Sequence, residues 1–122
     1  MTITTEIVFS GYVPGNNGPK GLLRMHYRKR IALRDAYQIH IRSQTRHRHP
    51  GPVAMVLTRY GIGREMDFDN LVSTGKVLTD AFVLAGVIFD DNPAIITQRT
   101  YRFVRVRTAA EQKTVVCFTD TP

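Results

Sequence analysis

Two short acidic groups stand out in a basic chain: Asp67-Phe68-Asp69-Asn70, and Asp90-Asp91 beyond an intervening helical stretch. Asp67, Asp69, Asp90 and Asp91 are four of the ten acidic residues, in a chain whose net charge is +7. Carboxylates gathered round one point repel strongly unless a cation neutralises them. Hard oxygen donors suit magnesium, with manganese as the alternative, rather than zinc. Such an ion stabilises charge that builds at phosphorus and activates an attacking water. If Asp67 and Asp69 close an extended segment, period-two geometry points both to one side and turns Phe68 the other way, into the core. The plainer reading makes Asp69 or Asn70 a helix cap and Asp90-Asp91-Asn92-Pro93 a turn.

Lys76 follows Asp69 by seven residues, which on a helix is the same side and about 10 Å further along. Its ammonium can lean toward a phosphate or a developing negative charge. It is also placed for an i,i+4 pair with Asp80, worth a few tenths of a kcal/mol.

The elements that must position these groups follow from pattern. Leu71 to Ala85 predicts a helix with Leu71, Leu78, Phe82 and Ala85 on one face, ended by Gly86 in the left-handed conformation. Gly75 is its flaw, costing up to about 1 kcal/mol in a helix interior. A helix of about fifteen residues is about 22 Å long, whereas Val87-Ile88-Phe89 spans only about 10 Å. The second acidic group must therefore double back, or a partner subunit supplies it. Strands are expected at Ile3–Tyr12, Val53–Tyr60, Ile95–Arg107 and Thr114–Thr119, the second apolar enough to be central. A further helix, Ile31–Gln44, offers Leu33, Ala36, Tyr37, His40 and Ile41 as a buried stripe, with His40 packed. The expected fold is α+β, one domain over residues 1–122, with a mixed sheet of about four strands and two helices packed on it.

Composition narrows the function. A hydrophobic content of 43% is enough for a core. No apolar run reaches the roughly 18 residues of a membrane span, and the N-terminus lacks a signal-peptide pattern. Cys117 stands alone, so a disulfide framework is not expected; the reading is a small buried hydrophobe in a reducing, cytoplasmic setting. His47 and His49 lack further ligands at zinc spacing. The excess of seventeen Lys and Arg over ten acids favours nucleic acid as partner, with a membrane less favoured because no basic amphipathic helix stands out. Lys20, in the turn-rich loop Val13–Gly21, is a candidate for DNA phosphates along with Arg24, Arg28, Lys29, Arg30, Arg59 and Arg64. That loop either cradles a phosphate or is a plain connector.

Taken together, Asp67-Phe-Asp69-Asn70-Leu71, Lys76, Asp80-Ala81 and Ala85-Gly86-Val-Ile-Phe-Asp90-Asp91 resemble the RusA family of Holliday junction resolvases. Pro14-Gly-Asn-Asn17 is similar to the turn that ends that family's first strand. The resemblance implies a magnesium-dependent homodimeric endonuclease that resolves four-way DNA junctions by paired, symmetric cuts. It makes Asp67, Asp69 and Asp91 metal ligands, Lys76 the catalytic cation, and Asn70 and Asp90 supporting neighbours. One departure is visible. The best-known members carry the lysine four residues after the second aspartate, where this chain has Ser73. Two other readings compete: a DNA-binding module without a working metal centre, and an RNA-directed nuclease, for which no RNA-binding platform is visible.

Overall fold

The structure, a computed structural model, describes residues 2–15, 21–63 and 68–121. Alternation along the strands decides which face of the sheet is covered. Thr5, Ile7 and Phe9 of β1 (Thr4–Ser10), Val53, Met55, Leu57 and Arg59 of β2 (Val53–Gly61), and Thr114, Val116 and Phe118 of β4 (Lys113–Asp120) are buried. Period-two geometry puts them on one face, which α1 (Tyr27–Gln44) and α2 (Phe68–Leu84) cover. With β3 (Ile96–Arg105) the sheet order is β1-β4-β2-β3. The β1/β4 and β4/β2 pairs are antiparallel and β2/β3 is parallel, joined by α2 as crossover. This is the α+β fold with a mixed sheet that the pattern predicts, and apolar β2 is internal. The other face carries Val8, Val56, Thr58, Val115 and Cys117, none fully buried. Cys117 is thus half-buried on that face rather than a core residue, and partial burial, then Glu6 beside it, raises its thiol pKa.

The helices differ in how much they bury. On α2 the residues Leu71, Thr74, Gly75, Leu78, Ala81 and Phe82 are all buried, and the Phe82 ring meets Phe118 at 4.8 Å and Phe9 at 5.9 Å, both edge-on. On α1 only Ile41 is fully buried and Ala36 is exposed, so the expected stripe is narrower. The helix also starts at Tyr27 rather than Ile31, taking the basic run into its first turn. His40 is half-buried and donates from Nε2 to the Val8 carbonyl oxygen at 2.6 Å.

Gly75 has a packing reason. A Cβ there would lie 3.2 Å from Tyr101 and 3.3 Å from Leu57, so the bare backbone lets α2 sit close on β2 and β3. Gly75→Ala is therefore expected to leave stability within about 1 kcal/mol of the parent, helix propensity and crowding offsetting each other. Urea unfolding checks this; a full gain of about 1 kcal/mol would show that the neighbours yield freely.

His49 is fully buried, with Nδ1 2.6 Å from Asp120 Oδ1 and Nε2 2.8 Å from Thr5 Oγ1. The order is that of a nucleophile–base–acid relay. With Thr5 and His49 both buried, it instead ties the segment before β2 to the end of the sheet.

Candidate active site along α2

The C-terminus of α2 is built to reverse the chain. Gly86, at φ 79°, follows the last turn; its N–H donates to the Val83 carbonyl, and the Val87 N–H to that of Phe82. This is a Schellman motif, which glycine permits and other residues strain. Val87 and Ile88 then bury themselves in the core. Asp90 is a loop organiser: its Oδ1 accepts from the Asp91 N–H at 2.7 Å and its Oδ2 from Asn92 Nδ2 at 3.2 Å. Asn92 Oδ1 accepts from the Ala94 and Ile95 N–H groups. Arg99, on β3, donates to the Asp91 carbonyl oxygen.

These restraints bring the Asp91 carboxylate 3.0 Å from Lys76 Nζ. Asp80 Oδ1 lies 3.2 Å from the same nitrogen. Lys76 thus makes the i,i+4 pair and also reaches the second acidic group. The doubling back happens within one chain, as far as a residue about 12 Å along α2 from its start. No partner subunit is needed for this contact.

The Lys76 side chain is 68% exposed and Asp91 27%. Its hydrogen bonds to Asp91, then to Asp80, raise the Lys76 pKa above its ordinary value. The bond from Lys76 holds the Asp91 carboxyl below the usual carboxylate range. A raised lysine keeps its contribution below the ordinary lysine pKa and loses it as pH rises through the folded value; a lowered carboxyl loses its contribution as pH falls through its own. The pair is thus charged across the whole neutral range. In an NMR titration Lys76 is expected to deprotonate above the ordinary lysine value, and Asp91→Asn to lower its pKa while Asp80 retains part of the shift.

Asp69 lies in the first turn of α2, exposed, where the helix dipole favours a carboxylate. It has no hydrogen-bond or ion-pair partner among the described residues. The helix begins at Phe68, so neither Asp69 nor Asn70 is the cap that pattern suggests. For the same reason Phe68 is 64% exposed rather than in the core: helical rotation, not strand alternation, aims it, and its ring lies 6.2 Å from Tyr101. The Asn70 carbonyl accepts the Ser73 and Thr74 hydroxyls. A Cβ on Gly15 would fall 2.5 Å from Asn70 Oδ1, so the Pro14-Gly15 turn packs directly on the head of α2. Asp67, Lys20 and Arg64 lie outside the described residues.

Among the described residues no three His, Cys, Asp or Glu side chains form a group that could hold a metal. The two predicted ligands that can be placed, Asp69 and Asp91, fit magnesium in kind, being hard carboxylate donors on the helix and its return loop.

Four of the expected DNA-facing cations, Arg24, Arg28, Lys29 and Arg30, are exposed. The last three occupy the first turn of α1, which contains no acid. The helix dipole disfavours cations there by about 0.3–1 kcal/mol each, so the positive charge runs against local preference and suits an anionic partner. Arg59 is a correction: it is 3% exposed, over the Tyr12 ring at 4.8 Å, with its guanidinium donating to the Val13 carbonyl. Exposed Arg99, Arg102 and Arg105 were not foreseen. Their spacing by three gives no one-sided pattern on a strand: Arg99 and Arg105 share the helix-covered side and are accessible because β3 is an edge, whereas Arg102, opposite Thr58, lies on the open face.

No family model matches the chain, and no curated protein matches it. Among the described residues no helix is long and apolar enough to cross a membrane.

Proposed function

We propose that the protein is a magnesium-dependent DNA endonuclease that acts as a homodimer on branched DNA, with the four-way junction as substrate. The observation that carries this reading is the 3.0 Å contact of Lys76 with Asp91, on the same helix whose first turn bears Asp69. In this reading Asp69 and Asp91, with Asp67, hold the ion, which when bound neutralises charge at phosphorus and acidifies a water. Lys76, kept protonated and oriented by Asp80 and Asp91, offers its ammonium to a phosphate oxygen of the cut strand. Arg99 fixes the Asp91 backbone. Arg24, Arg28, Lys29 and Arg30 neutralise flanking phosphates without reading sequence. A twofold dimer presents two such sites and accounts for paired cuts.

The test is a labelled synthetic four-way junction incubated with and without magnesium, with cuts mapped on all four strands. Symmetric magnesium-dependent cuts on two strands are expected. Tight binding without cutting of any branched substrate would favour the second reading, a non-catalytic branched-DNA-binding protein, which the acid-free basic turn of α1 supports independently of any metal. Affinity is also expected to fall steeply between about 50 and 200 mM salt, and a flat dependence would remove phosphate contacts as the main source of affinity.

A further inference from the structure

Between the first half of α1 and the middle of α2 lies a groove of about 440 Å³. Leu22, Ile31 and Val77 give it an apolar lining, while Arg30 and Arg34 contribute cations from α1. Asp80 also lines it, but its charge is met by Lys76 at 3.2 Å. Arg30 has no hydrogen-bond or ion-pair partner among the described residues. Arg34 pairs only with its neighbour Asp35, at 3.4 Å, and its Nε is buried with no acceptor. Tyr27, 54% exposed, stands at the groove with its ring 4.7 Å from that of His26.

Cations, an apolar lining and an aromatic pair together match one nucleotide. Free phosphate would leave the apolar lining unused, and an apolar peptide would leave the cations unused. The volume is within the range of roughly 300–1,000 Å³ typical of small-ligand sites. A base pair within a duplex has its ring faces covered by stacking, whereas an unpaired base can stack on tyrosine. We infer that this groove takes one unpaired nucleotide of a DNA strand, its base against Tyr27 and its phosphate on Arg30 and Arg34. The inference rests on the DNA reading above and adds a preference for single-stranded segments, such as those at a branch point, beside the Lys76–Asp91 pair.

The experiment measures affinity for a short single strand and for a duplex of equal length, in EDTA so that nothing is cut. Tyr27→Ala is expected to weaken single-strand binding about 5- to 100-fold and duplex binding less than about twofold. Tyr27→Phe, which keeps the ring, should bind like the parent, and Arg34→Gln should also weaken the single strand selectively. Equal loss on both DNAs, or no loss on either, would overturn the groove while leaving magnesium-dependent junction cutting intact. Selective loss in a protein that cuts no branched DNA would uphold the groove and overturn the nuclease reading.

Discussion

Asp69→Asn is expected to reduce magnesium-dependent cleavage of a four-way junction at least about a hundredfold while leaving junction affinity within about threefold of the parent. The size follows from its role: a carboxylate that holds the ion is worth at least as much as the outer partners of metal ligands, whose loss costs about 10- to 100-fold. The selectivity follows from its place. Asp69 is exposed in the first turn of α2 and bonded to nothing else described, so the amide replaces charge without removing a contact. The lost dipole interaction is worth only about 0.3–1 kcal/mol of stability. Asp91→Asn should lose cleavage equally but is less clean, because it also breaks the 3.0 Å contact with Lys76. Asp35, ion-paired to Arg34 on α1, serves as a control whose amide should cut normally. Cleavage by Asp69→Asn at the parental rate would remove the carboxylate centre.

What could be read in advance divides along physical lines. Charge patterning is a property of the chain itself, so Asp69, Lys76 and the Asp90-Asp91 pair stand out from residue type and spacing, although spacing does not choose between Asp90 and Asp91. Gly86 too is legible, since a left-handed C-terminal residue has few alternatives. How far the chain then doubles back is not, because it depends on Val87 and Ile88 finding space in the core and on Asp90 and Asn92 capping the loop. Phe68 shows the cost of one residue of error at a helix start: on a strand it would face the core, on the first turn of α2 it faces solvent. Gly75 shows that a local flaw can be a tertiary requirement, invisible until Leu57 and Tyr101 are placed beside it. Arg59 is different again. It shares parity with Val53, Met55 and Leu57, so alternation along β2 already put it on the covered face. Nearness in sequence to the acidic stretch, the ground for expecting Arg59 at DNA, does not decide which face of β2 carries its side chain.

Arg59→Ala should therefore act on stability, lowering it by about 2–4 kcal/mol in urea unfolding, while junction affinity of the folded protein stays within about threefold. Burial lowers the Arg59 pKa, with Tyr12 and Tyr37 opposing, and arginine remains charged in any case. Burial likewise pushes the Tyr37 phenol up to about 12, the Arg59 charge opposing it, so no tyrosinate forms to pair with the guanidinium. Its compensation is the Val13 carbonyl and the face of Tyr12. Truncation to alanine empties that space and leaves the carbonyl unsatisfied. The consequence extends to the site, because Val13 begins the turn whose Gly15 packs on Asn70. A loosened turn releases the head of α2, so cleavage should fall with stability even though Arg59 touches no DNA. The double variant Arg28→Gln, Arg30→Gln should do the reverse, weakening junction binding while stability rises by about 0.5–2 kcal/mol, as both exposed cations sit unfavourably in the first turn of α1. Were Arg59→Ala to lose affinity and keep its stability, the buried arginine would belong to the binding surface after all.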